Sequence, residues 1–201
     1  MNQDKGLLCG LVTTQLTRVW GLCPKKNSDT LIVMILTILA VLCVLIGLYA
    51  LIHMCIIDLK IRILPNRLNA LLALTGLGFH TAMLFTLMPW WMLIVGALFG
   101  GGVLYTIRAV ANRIYGMDTI GLGDVKLLAA GGVWLGPEHI MMALSVGAFA
   151  GLFHGLGFML AEKIKTGVMP NFRGMTIPAG PGFATGILLV GLYNYGLPLW
   201  G

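Results

Sequence analysis

Long apolar runs separated by short polar stretches dominate this chain. The first, "TLIVMILTILAVLCVLIGLYALIHMCII" from Thr30 to Ile57, contains no acidic residue, lysine or arginine. At ~1.5 Å per residue it is longer than the ~30 Å hydrocarbon core of a bilayer, so it predicts a tilted or projecting membrane helix. Such a helix delivers Asp58 to a membrane face. Further runs predict helices over about 68–88, 92–111, 125–136, 140–161 and 177–199. Pro89-Trp90-Trp91 marks a tight turn with interfacial aromatic anchors, and Gly136-Pro137 stops the short fourth helix. No run alternates as a strand does. The expected fold class is therefore all-α, a polytopic membrane protein with about six transmembrane helices.

The first thirty residues follow a different pattern. In "GLLCGLVTTQLTRVWGLC", Leu8, Leu11, Leu16, Val19 and Trp20 fall roughly on one stripe. This predicts a short amphipathic helix lying on the membrane surface. Asp4 precedes the run and no cleavage site follows it, which argues against a signal peptide. The expected organisation is a tail over 1–29 and a six-helix membrane domain over 30–201.

Composition supports the membrane class. The chain is 58% hydrophobic and 10% charged, where a soluble domain carries about a quarter charged residues. Its net charge of +6 is distributed between apolar runs. Lys60, Arg62 and Arg67 follow the first span, Arg108, Arg113 and Lys126 surround the loop after the third, and Lys163, Lys165 and Arg173 follow the fifth. The opposite loops, around Pro89 and Pro137, carry no Lys or Arg. The positive-inside rule places the three basic loops in the cytoplasm. The tail, with Lys5, Arg18, Lys25 and Lys26, then falls on the other side and is the one cluster that disagrees. No basic-aromatic patch points to nucleic acid; lipid headgroups and orientation account for the charge.

Metal and redox chemistry find little support. Cys43 and Cys55 lie in the first apolar run as packing residues, Cys9 and Cys23 lie in the tail, and no CxxC pair exists. His53, His80, His139 and His154 have no ligand spacing. No cofactor and no metal are expected.

Two carboxylates remain to be explained. Asp58 ends one apolar run, and Asp124 opens another within "GLGDVKLLAAGGVWLG". Each has a plain structural reading: Asp124 as a helix cap, Asp58 as the first polar residue past a span. That reading weakens for the pair, because both are expected on the same face. A carboxylate is disfavoured at the helix C-terminus where Asp58 stands, and Gly121 and Gly123 leave room for another chain against the backbone. Two carboxylates held together share a proton, so one takes a proton from water while the other polarises a carbonyl. The dipoles of their own helices favour Asp124 as base and Asp58 as protonated acid. Lys126 reads either as tuning Asp124 or touching substrate, or as a snorkelling interfacial lysine. Asn66, Arg67 and Asn69 read as shaping the turn after Asp58.

At these residues the chain resembles the type IV prepilin peptidases, intramembrane aspartic proteases of the GxGD type. "IIDLKIRILPNRLN" is similar to their first motif, with Asp58, Leu64, Pro65, Asn66 and Leu68. "GLGDVK" is similar to the second, with Gly121, Gly123, Asp124, Val125 and Lys126, and "IPAGPGFATG" to a late Ile-Pro-x-Gly-Pro segment. The resemblance covers about residues 50–195. It implies a multi-pass protein of the bacterial inner membrane with a cytoplasm-facing active site. That site would cut basic leaders from type IV prepilins or pseudopilins, typically after a glycine. Asp58 and Asp124 carry over as the catalytic pair. Gly121, Gly123, Lys126, Pro65, Asn66, Pro178, Gly180 and Pro181 carry over as the substrate and active-site loops. The implied partners are prepilin or pseudopilin precursors and the lipid bilayer. Bifunctional members carry paired CxxC motifs and methylate the new terminus; this sequence has no such motifs, so methyltransferase activity is not expected. The competing reading is a small proton- or cation-coupled transporter using the two aspartates, which calls for carboxylates midway along the spans.

Overall fold

The computed structural model describes residues 27–61, 64–116, 121–166 and 179–196, and every regular element among them is α-helix. In chain order these are α1 (Asn27–Ile61), α2 (Asn66–Ala82), α3 (Trp90–Tyr115), α4 (Leu122–Thr166) and α5 (Gly180–Gly196). The amphipathic helix expected in the tail lies outside the described residues, as do Cys9, Cys23 and Pro178.

Prolines and glycines set the helix boundaries. Pro65 and Pro89 stand in extended backbone at the N-caps of α2 and α3, where the fixed φ of proline and its missing N–H do no harm. The Pro65 carbonyl accepts the N–H groups of Leu68 and Asn69. Gly116 closes α3 in a left-handed conformation, its N–H bonded to the Asn112 carbonyl. The second span was expected to reach about residue 88, but α2 stops at Ala82. Leu84 and Phe85 there take positive φ, and the chain turns over 83–88 before Pro89.

The expected fourth and fifth helices follow one another within α4 as two helical arms, separated where expected by the non-helical Gly136 (φ 71°) and Pro137. The break is sharp. A Cβ on Gly131 would lie 3.2 Å from Ile140 Cδ1, although nine residues of straight helix span roughly 13 Å. The two arms therefore lie side by side, and both meet α3: Gly100 touches the Leu128 carbonyl and the Ile140 side chain. Gly96 and Gly132 meet backbone to backbone, leaving no room for a side chain on either. This is the small-residue packing by which membrane helices approach one another.

The second arm of α4 packs along α5 through Gly147 against Phe183 and Gly186 against Ala143. Trp134 wedges between α1 and α2, where Cβ atoms on Gly47 and Gly76 would each lie 2.8 Å from its indole. Its indole N–H donates to the Leu72 carbonyl at 2.8 Å. The interior around it is apolar, with Met54, Leu72, Leu127, Leu128 and Ile140 almost fully buried. The outside is apolar too: Leu31, Leu98, Phe153 and Ile164 are all more than half exposed. Leu31–Ile61, Trp90–Tyr115 and Leu122–Gly157 are each long and apolar enough to cross a membrane. Apolar surface on this scale needs lipid around it, and the chain is an integral membrane protein.

Candidate active site

Four elements converge at one end of the bundle. Asp58 lies in the last turn of α1, Asn66 opens α2, Asp124 lies in the first turn of α4, and Gly180 opens α5. The helix registers force this convergence. Gly47 and Gly76 meet Trp134 at one level, and Ile187 meets Gly131. Counting about ten residues back along α4 and α2 and forward along α1 brings Asp124, Asn66 and Asp58 to a common level, and α5 reaches it at Gly180.

Both carboxylates are buried, Asp58 with 4% and Asp124 with 6% of its surface exposed. Asp58 is close enough for its charge to act on Asp124. Asp58 Oδ2 accepts the Gly180 N–H at 3.2 Å. That N–H belongs to the first turn of α5, because the Ala179 carbonyl already accepts the Phe183 N–H. It is one of the donors that a helix N-terminus leaves unpaired. A Cβ on Gly180 would stand 2.6 Å from Asp58 Oδ2, so only glycine lets the backbone come this close. Pro181, next in the helix, has no N–H to lose.

Asp124 is held in a similar way from its own helix. Its side chain accepts the backbone N–H of Gly121, and Oδ2 would be 3.2 Å from a Cβ there. This is half of a capping box, with a carboxylate in the first turn reaching back to the cap. Asp124 Oδ1 is buried without a hydrogen-bond partner. Asp58 stands at the C-terminus of α1, as expected, and also faces the N-terminus of α5, so a helix N-terminus adjoins each of the two carboxylates.

Leu64 packs on Gly123, where a Cβ would lie 2.8 Å from Leu64 Cβ. Lys126 Nζ donates to Asn66 Oδ1 at 2.7 Å on the exposed side. Lys126 thus ties the start of α4 to the start of α2, a role neither sequence reading gave it. Pro65 is the cap that turns α2 into position. Among the described residues no cluster of His, Cys, Asp and Glu is arranged to hold a metal.

A second polar cluster, which sequence reasoning missed, lies toward the other end. His80 has no exposed surface. Its Nε2 lies 3.2 Å from the Trp134 carbonyl, and Tyr195 OH donates to the same oxygen. A carbonyl only accepts, so His80 carries its proton on Nε2. Phe79 stacks on Trp134 at 5.3 Å and meets Tyr195 edge-on at 5.4 Å. The residues of this clasp are scattered over three helices, and its one local signal is the apolar stripe of α2 that carries His80.

Comparison with known proteins agrees with the motifs. A model of the type IV leader peptidase family matches residues 45–156, which include both carboxylates. A protein of Aeromonas salmonicida (strain A449) named "Prepilin leader peptidase/N-methyltransferase" is 28% identical over 194 residues, covering 96% of this chain and 57% of the relative. A protein of the same name from Escherichia coli (strain K12) is 28% identical, covering 72% of this chain and 58% of the relative. One from Burkholderia pseudomallei (strain K96243) is 35% identical over 53% of this chain and 34% of the relative. The chain thus spans somewhat more than half the length of the first of these curated relatives. No solved structure matches it. With more than half of its residues matched, the chain belongs to the type IV leader peptidase family.

Proposed function

We propose that this chain is an aspartic endopeptidase. Its substrates are the basic leaders of type IV prepilins or pilin-like precursors, cut at the cytoplasmic face of the bacterial inner membrane. The observation that carries the reading is the pairing of two buried carboxylates from distant segments, Asp58 and Asp124, at one end of the bundle. Basic residues gather on that same side of the bundle: Lys60, Arg67, Arg113, Lys126 and Lys163 lie toward the helix ends there. The turn over 83–89 and the break at Gly136-Pro137 carry none. By the positive-inside rule, this distribution supports a cytoplasmic carboxylate end. Counting the arms of α4 separately, the helical segments correspond to six passages through the bilayer.

The chemistry follows from the pairing. The ionised carboxylate takes a proton from a water as its oxygen attacks the scissile carbonyl carbon. The protonated one gives its proton to the carbonyl oxygen, and a neutral tetrahedral diol forms. Collapse of the diol breaks the C–N bond, with a proton passing to the leaving amine. The pair titrates as a unit, so cleavage falls at both pH extremes. A proton or cation relay fits less well, because the carboxylates sit at helix ends rather than midway along the helices. The reading covers leader cleavage and does not extend to the methyl transfer in the relatives' names.

Co-expression with a prepilin, read by gel mobility, tests it. The wild-type chain should trim the leader, and Asp58→Asn and Asp124→Asn should each leave the precursor intact. Normal trimming by either variant would remove the dyad from the mechanism.

A further inference from the structure

Asn69 presents a buried carboxamide that the bundle does not use. It has 5% of its surface exposed, and neither its Nδ2 nor its Oδ1 has a hydrogen-bond partner. Desolvating an amide without compensation opposes folding, and side chains that do so are rare in native interiors. The other buried polar residue of α2's interior face near this level, Thr75, is satisfied by the Leu71 and Leu72 carbonyls of its own helix.

The location of Asn69 is the second observation. It lies on the inward face of α2 with Leu72 and Gly76, the face packed on α1 and α4. Asn66, one turn earlier, holds Lys126, and Leu64 packs on Gly123 beside Asp124. Asn69 is therefore roughly 5 Å deeper than the level of Asp124, on the neighbouring helix. Asp124 Oδ1 is the unpartnered buried oxygen at this end of α4. Among the described residues the other unpartnered side-chain atoms are the Nδ1 of His53, at a similar depth on α1 with its ring stacked on Tyr49, and the Nδ1 of His80 in the far aromatic cluster.

We propose that Asn69 is a substrate-binding residue, its carboxamide hydrogen-bonding the main chain of the peptide segment held against Asp58 and Asp124. A carboxamide offers one acceptor and a pair of donors on a planar group, which matches the C=O and N–H of an extended peptide. It therefore reads backbone rather than side chain. Access is no separate obstacle: the carboxylates are as buried as Asn69, so an opening that admits a peptide to Asp124 also uncovers the next turn. This inference rests on the peptidase reading above.

The test uses the full chain in lipid nanodiscs and three readouts: thermal unfolding without substrate, kcat and KM on a purified prepilin, and binding of that prepilin in an Asp124→Asn background. Asn69→Leu keeps the volume and removes the amide. It should raise the unfolding temperature, because an unpaired buried amide is gone. It should also raise KM and weaken binding roughly 10-fold to 100-fold, the loss expected for one or two hydrogen bonds. Should Asn69→Leu fail to reach the membrane, Asn69→Ala supplies the same KM and binding comparison, and Thr75→Val serves as a control with unchanged KM. Unchanged KM and binding in the Asn69 variants, with the wild type active, would overturn the inference and leave the peptidase reading intact. So would a fall in unfolding temperature with no change in KM, which marks a purely structural amide. A wild type that neither binds nor cuts the precursor would sink both.

Discussion

The bundle holds two polar clusters in its interior, and they are built in opposite ways. Toward the far end, His80 and Tyr195 meet at the Trp134 carbonyl, and the Trp134 indole N–H donates to the Leu72 carbonyl. The carbonyl they share belongs to the last turn before the Gly136-Pro137 break, where a helix loses its regular partners. Only His80 Nδ1 stays unpaired there. At the carboxylate end the groups come from four helix ends. Backbone N–H groups hold them, glycines let them approach, and Asp124 Oδ1 and the whole Asn69 amide stay unpaired. Closed polar clusters specify a fold. Open ones keep bonding capacity for something that arrives later, at a cost in stability.

That contrast is best broken at the carboxylates. Asp58→Asn or Asp124→Asn should lower cleavage at least ~10³-fold while leaving the unfolding temperature near wild type or above it, because each removes one member of a buried pair of mutually repelling carboxyl groups. A large fall in stability would mean that the pair belongs to the fold. Next comes Gly180→Ala, whose Cβ would meet Asp58 Oδ2 at 2.6 Å. Cleavage should drop about 10²-fold, since small displacements of a catalytic group carry penalties of that size. Wild-type rates in this variant would show that the approach of α5 to Asp58 is immaterial.

Tyr195→Phe probes the closed cluster and should give the reverse pattern. We expect a stability loss of about 1 kcal/mol by thermal or denaturant unfolding in detergent, with kcat unchanged. A kcat effect larger than the stability effect would erase the distinction between the two regions. The smallest change should come from Lys126→Ala. Its bond to Asn66 is exposed, so cleavage should fall no more than about threefold. An inactive variant would place Lys126 among the groups that handle substrate.

Much of the carboxylate end was legible in the sequence, because local signals converge there. Asp58 follows an apolar run of fixed length, Asp124 precedes another, and basic residues mark the shared face. The late Gly-Pro segment was legible as a motif, but not as a donor to Asp58, since that contact depends on how α5 packs. Asn69 was read as part of a turn because "LPNRLN" looks like a polar loop. Pro65 instead caps a helix immediately, and Asn69 falls in its second turn, facing inward with Leu72. The stop at Gly136-Pro137 was visible, whereas the folding of α4 back on itself rests on contacts such as Gly131 with Ile140. The aromatic clasp was illegible for the same reason. His80, Trp134 and Tyr195 come from three helices whose relative rotation no periodicity records.

The Gly180–Asp58 hydrogen bond also joins segments 122 positions apart in the sequence. Asp58 and Asp124 leave the ribosome well before the last helix, but the N–H that fixes Asp58 is contributed by α5. A nascent chain that has inserted only α1 to α4 therefore carries both carboxylates without the donor that positions the first. Under the proposed peptidase function, the geometry around Asp58 would be complete only once α5 has packed against α1.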